Sequence, residues 1–70
     1  MTWYVDPKTG SDANDGKSAE TAFRTLWHAV ERAAAGDTVL MAPGPYDEDL
    51  PGLVGRARVA RVTIDVVGGR

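Results

Sequence analysis

The 70-residue sequence predicts an α/β fold of short parallel strands with one α-helix laid against them, and three observations carry that expectation. Residues 2–5 (TWYV) are β-branched and aromatic and stop at Asp6-Pro7. Residues 25–35 hold apolar side chains at helical spacing and run into Gly36. Residues 37–42 (DTVLMA) form a near-continuous apolar run bounded by Gly36 and Pro43. Strand, helix and strand in that order make a parallel crossover.

Taken in order, the first strand ends where Pro7 restricts the residue before it and removes a ladder donor. Residues 6–17 (DPKTGSDANDGK) are turn formers whose Asp and Asn side chains can bond nearby backbone amides, so an ordered loop is expected. The helix begins with Thr25 as N-cap, with Phe23 as an apolar anchor just outside. Leu26, Ala29, Val30 and Ala33 follow i, i+3, i+4, i+7 spacing and define the buried stripe, while His28, Glu31 and Arg32 occupy the other face. Gly36 is the expected left-handed residue after the helix end. The strand over residues 37–42 reads as covered on both faces. Pro43-Gly44-Pro45 breaks it, residues 46–50 are short and acidic, and residues 51–55 are a turn-rich connector. Residues 59–67 alternate, with Ala60, Val62, Ile64 and Val66 facing one way and Arg61, Thr63, Asp65 and Val67 the other, as in a half-buried last strand. The whole is one domain, residues 1–70.

So short a chain buries little surface, and its core is expected to need outside help. The sequence has no cysteine, so the help is an oligomer, a non-thiolate metal or a larger parent protein. A formal charge of -2 argues against nucleic acid as partner. Acids gather in residues 6–15 and 47–49, arginines at Arg56, Arg58, Arg61 and Arg70, an asymmetry that would let one copy dock acid to base against another. No apolar run reaches membrane-spanning length and no basic segment with a following apolar stretch opens the chain, so no membrane partner is expected; the chain reads as soluble, with any signal peptide absent or removed.

The runs WYVDPKTGSDANDGKS and AFRTLWHAVERAAAGDTVLMAPGPYDE carry six motifs in order: a Val-Asp-Pro strand end, a Gly-Ser-Asp-x-Asn-x-Gly loop, a Phe-x-Thr helix entry, an Ala-rich helix, a Gly-Asp-Thr-Val strand and a Pro-Gly-x-Tyr turn. This series resembles the N-terminal segment of right-handed parallel β-helix proteins of the pectate-lyase-like superfamily, over about residues 2–50. The resemblance sharpens the fold to a small β-solenoid fragment in which the α-helix caps one end, and it suggests secreted parent proteins. In that family later coils supply the binding groove and the catalysis. Those coils lie beyond this sequence and none of its residues matches a catalytic position, so the lyase and hydrolase activities do not carry over. A cap with about one coil would leave its last strand as an open apolar edge, and the expected remedy is a homo-oligomer, most simply a two-fold dimer.

Candidate chemistry centres on His28, the sole histidine, which forms an i, i+3 pair with Glu31 and can share a divalent metal with it. Two ligands are too few, so acids from the Asp6, Asp12 and Asp15 loop, Asp12 and Asp15 foremost, from residues 47–49 or from a second copy would have to complete the shell, and zinc, manganese or calcium are the ions considered. Asx-turn chemistry accounts for Asp12, Asn14 and Asp15 without a metal, and a helix-surface position near the N-terminus, hydrogen-bonded or solvated, accounts for His28. Asp47, Glu48 and Asp49 read as a solvated acidic loop rather than an acid/base group. Arg58 and Arg61, with Arg56, are anion-binding candidates, or charges that discourage edge pairing or pair with acids across an interface. Trp3, Tyr4, Trp27 and Tyr46 could stack on sugars, with at least two of them expected in the core. Neither a nucleophilic triad nor a phosphate loop is present. The leading reading is a capping fragment that self-associates through its open edge and core face. The alternatives are a minimal metal-dependent hydrolase of phosphoesters, with a site assembled in an oligomer, and a carbohydrate-binding module.

Overall fold

The computed structural model describes residues 1–66. Strand β1 is Thr2–Val5, a single 3-10 turn follows at Ala19–Thr21, and helix α1 is Leu26–Arg32. Strand β2 is Thr38–Met41, helix α2 is Leu50–Val59, and strand β3 is Thr63–Val66. The strands form one parallel sheet in the order β1-β2-β3. Thr2 pairs with Thr38 and Thr38 with Thr63, so each excursion of the chain returns to the same level of the sheet one strand further on. That is a solenoid path: like positions stack into rows, Trp3 beside Val39 beside Ile64, and Val5 beside Met41 beside Val66.

Because side chains alternate along a strand, these rows face the helices, and they form the core with Phe23, Leu26, Ala29, Val30, Leu53, Ala57 and Val62. Val66 alone of the rows is exposed. The indole of Trp3 stacks on the Phe23 ring, with centroids 5.8 Å apart. The opposite sheet face is only half covered: Tyr4 and Leu40 are partly buried there, so β2 is sealed on one face and not on both.

The loop before α1 folds back on the sheet. Tyr4 N–H donates to the Gly16 carbonyl at 2.8 Å, Phe23 N–H to the Tyr4 carbonyl at 2.9 Å and Asp6 N–H to the Phe23 carbonyl at 2.7 Å, which closes the outer edge of β1. Gly16 has φ of +69°, and a Cβ there would run into the Phe23 ring, so glycine is required on two counts.

Helix α1 is shorter than the expected residues 25–35. Ala33 N–H still donates to the Ala29 carbonyl, but Ala33 itself is extended and Ala34 N–H donates to Asp37 Oδ2 at 2.8 Å instead of continuing the helix. The corner thus stops the helix earlier than alanine propensity suggests.

A second helix stands where a connector was expected, and the extended chain expected over residues 59–67 starts only at Thr63; Val67 lies outside the described residues. Pro51 sits in the first turn of α2, where a missing N–H costs nothing, and Asp49 accepts from Gly52 N–H as N-cap. Leu53 and Ala57, one turn apart, are its buried contacts. At its end Val62 N–H donates to the Ala57 carbonyl and Arg61 N–H to the Arg58 carbonyl, the bond pattern of a Schellman motif. Arg61 is the left-handed residue that motif requires, at φ 63°. Ala60 and Arg61 are therefore turn residues, not strand residues.

Asp37 ties these parts together. It is buried, and it accepts from the Trp3 indole N–H at 2.9 Å, from Ala34 N–H and from the amino terminus at 3.1 Å. Those donors, the indole foremost, hold its carboxyl down at about 2.

Two outcomes follow. Arg61→Gly relieves about 1–2 kcal/mol of left-handed strain against about 0.5–1 kcal/mol of added unfolded-state entropy, so the urea midpoint should rise. The Asp37 carboxyl lies below its ordinary value of 3.8, so the unfolded chain binds more protons in that window and stability rises with pH. The Asp37 contribution should therefore be fully present above pH about 4 and be lost as pH drops toward about 2. Asp37→Asn should shrink that acid limb in urea titrations read by tryptophan fluorescence, leaving the part due to the other lowered carboxyls, Asp6, Asp12 and Asp15.

Candidate functional site

Seven residues make too short a helix to stand on propensity, and the amino end of α1 is held by side chains from three directions. Thr25 Oγ1 accepts from His28 N–H at 3.3 Å. Glu48 accepts from Leu26 N–H at 2.8 Å and from Trp27 N–H at 3.0 Å, one with each carboxylate oxygen. Asp12 accepts from the N–H groups of Arg24 and Thr25 and from the Thr25 hydroxyl. Burial pushes the Asp12 carboxyl up, but the bonds from Thr25 and Arg24 outweigh it and keep the group below its usual range.

The candidate metal ligands divide between separate tasks. Asp15 accepts from Lys17 N–H and the Thr21 hydroxyl, which lower its carboxyl, while Asn14 Nδ2 donates to the Ala22 carbonyl. The Asp12, Asn14 and Asp15 side chains therefore serve different partners. Glu31 reaches across to α2, where its Oε2 lies 2.6 Å from the Arg56 guanidinium. His28 is half-buried with its ring edge-on to Phe23 at 4.6 Å, and its Nε2 is buried without a partner. Among the described residues no three His, Asp or Glu side chains converge as a metal-holding group.

Arg58 and Arg61 are both exposed beside the last strand. Neither forms an ion pair among the described residues; Arg70 lies outside them.

Of the four large aromatic candidates, Trp3 is in the core, Tyr4 is half-buried on the sheet face, and Tyr46 hydrogen-bonds the Ala42 carbonyl at 2.6 Å. Burial, with help from Asp6 and Glu48, pushes the Tyr46 hydroxyl up to about 12. Trp27 remains, with half its surface exposed. It borders an open groove of about 510 Å³ between α1 and α2, with Glu48, Asp49, Gly52, Leu53 and Arg56 as the other lining residues. The sequence marks Glu48 as part of an acidic run and Arg56 as one of the carboxyl-terminal charges, but their partners escaped it because each lies more than twenty positions away.

The remaining open feature is the outer edge of β3. Thr63 N–H donates inward to the Asp37 carbonyl, so strand alternation turns the main-chain groups of Ile64 and Val66 outward. Among the described residues no strand pairs there. Val66 and Val59 are 58% and 87% exposed beside it. No helix of the described residues is long and apolar enough to cross a membrane.

Comparison with known proteins gives a consistent result. Residues 8–52 match the family described as protein of unknown function (DUF1565). The chain is 55% identical over 47 residues to the uncharacterized protein YwoF of Bacillus subtilis (strain 168), a stretch covering 67% of this chain and 10% of that protein. It is 33% identical over 69 residues to alpha-1,3-galactosidase A of Akkermansia muciniphila, covering 97% of this chain and 12% of the relative. Among solved structures, the complex of XylC with xylose aligns with 100% of this chain and 11% of its own at a TM-score of 0.76 and 34% identity. The chain thus spans only about a tenth of the length of these relatives. Parallel strands stacked level by level under a packed helix, and a family match over most of the chain, lead to one assignment: the chain belongs to the DUF1565 family and folds as the cap and first coil of a pectate-lyase-like parallel β-helix.

Proposed function

We propose that this chain closes one end of a parallel β-helix, and that the 70-residue chain by itself self-associates through the outer edge of β3 and the apolar surface beside it. The observation that carries this reading is the asymmetry of the two sheet edges. On β1 the outer edge is occupied by Gly16 and Phe23, while the outer edge of β3 has no partner among the described residues. A stopped edge and an open edge on one small sheet are what an end cap needs: the first blocks growth, the second accepts the next strand. The outward N–H and C=O of Ile64, which no strand meets among the described residues, and the exposed Val59 and Val66 favour association. Light scattering at micromolar concentration should return twice the 7.5 kDa of one chain. A single-chain mass throughout the accessible concentration range would sink the self-association.

A second reading, sugar binding, is favoured by the Trp27 groove. Its volume of about 510 Å³ lies in the range of small-ligand sites, and its lining combines the Trp27 indole with the hydrogen-bonding groups of Glu48, Asp49 and Arg56. Glu48, Asp49 and Arg56 suit the hydroxyls of a neutral pyranose, and the surplus of carboxylates disfavours an anion. Two relatives bear sugar names, the xylose complex of XylC and the alpha-1,3-galactosidase. Titration with xylosides and galactosides should change the Trp27 fluorescence. Trp27→Ala should weaken binding about tenfold, roughly the loss of one stacking contact. Trp3 is buried, so a flat signal in the unaltered chain counts against the site.

A further inference from the structure

The self-association proposed above leaves the partner edge and register open, and the edge geometry restricts both. Head-to-tail stacking would require β3 of one copy to pair with β1 of the next. That acceptor is absent, because the Tyr4 N–H and C=O and the Asp6 N–H are already bonded to Gly16 and Phe23. Head-to-tail extension into a fibre is therefore blocked, and between copies of the 70-residue chain β3 is left to meet another β3. An edge that pairs with itself does so about a two-fold axis, which makes the two strands antiparallel.

The register follows from side chains and main-chain polarity together. Ile64 directs its N–H and C=O outward, so it can lie opposite Ile64 of the second copy as a hydrogen-bonded pair that exchanges both bonds. Thr63 then lies opposite Asp65 of the second copy, and Asp65 opposite Thr63, as non-hydrogen-bonded pairs with close side chains. Both residues are exposed on the same face of β3, and a threonine hydroxyl donating to a carboxylate is a favourable cross-strand pair. Moving the axis to Asp65 puts two carboxylates directly opposite each other, which is unfavourable at neutral pH. Moving it to Thr63 leaves Asp65 opposite Arg61, which is in a left-handed turn and cannot continue a ladder. In the single chain Val66 N–H donates to Asp65 Oδ1 at 3.2 Å. In the Ile64 register it exchanges that bond for the Val62 carbonyl of the second copy, which leaves Asp65 to accept from Thr63 of that copy. The Val62 N–H takes no part, being already bonded to the Ala57 carbonyl.

We infer that, in the 70-residue chain by itself, the β3 edge pairs with a second copy of this chain, antiparallel with Ile64 on the two-fold axis and Thr63 facing Asp65, so that two three-stranded sheets join into one. This rests on the self-association reading, and the test separates the two. The chain has no cysteine, so Thr63→Cys and Asp65→Cys each introduce a sole thiol on an exposed side chain. Non-hydrogen-bonded partners stand about 4.5 Å apart at Cα, within the reach of a disulfide. In a glutathione redox buffer, mixing T63C with D65C should give a covalent heterodimer on non-reducing gels, while each variant alone stays largely uncrosslinked. Crosslinking of D65C alone or T63C alone places the axis elsewhere and overturns the register while leaving self-association intact. A dimer by light scattering that crosslinks in no combination overturns the β3 pairing. A monomeric mass for the unaltered chain overturns the self-association reading itself.

Discussion

The carboxylate of Asp37 meets three donors from two parts of the chain: the amino terminus and the Trp3 indole at its start, and the Ala34 amide just past α1. Its own backbone carbonyl accepts from Thr63 in β3. One residue therefore positions every strand of the sheet relative to the corner that starts β2. The Trp3 indole needs a partner once buried, and a buried carboxylate needs donors; each satisfies the other. With Trp3 held, its ring stacks on Phe23, and Phe23 brings the loop that seals β1. The Gly-Asp-Thr-Val motif thus has a physical role beyond its turn: glycine turns the chain, aspartate anchors it, and the next two residues begin the ladder.

The two edges of the sheet are treated in opposite ways, and this separates a cap from an ordinary three-stranded domain. A loop rich in Asp, Asn and Gly folds against β1 because its side chains satisfy its own amides and, through Asp12, those that lead into α1; Glu48, from the segment after β2, takes the next two. The acids that first suggest a metal site are in this way the reason a polar loop can lie ordered on an apolar sheet. Glu31 and Arg56 join the two helices at their exposed rim. Such an exposed pair contributes little to stability, generally under about 1 kcal/mol, and its place beside Trp27 shapes the groove more than it holds the fold.

His28 illustrates how a chemically suggestive residue is absorbed by packing. Its spacing to Glu31 is right for a shared ligand, yet Glu31 turns to Arg56 and the imidazole turns edge-on to Phe23. The exposed features left over are Trp27 over its groove and the edge of β3, and both sit where α2 meets the rest of the chain. Position in a longer β-helix and contact with another copy or a sugar would therefore act on neighbouring surfaces, both shaped by α2.

By itself the sequence determined β1, the core of β2 and the Thr25 start of α1, because each depends on local periodicity, a cap or a breaker read within a few residues. The family likeness was legible for the same reason, since its motifs are turn and cap chemistry. Only the tertiary structure decided α2, where Pro51, Gly52 and Gly55 argue against helix and the burial of Leu53 and Ala57 overrides them. It also decided the early end of α1 at the Asp37 corner and the left-handed turn at Arg61. The roles of Glu48 and Arg56 were illegible because their partners are distant in sequence and meet them only once the chain has wound back on itself. Local chemistry sets where elements begin and end; what a side chain touches across the core is set by the winding.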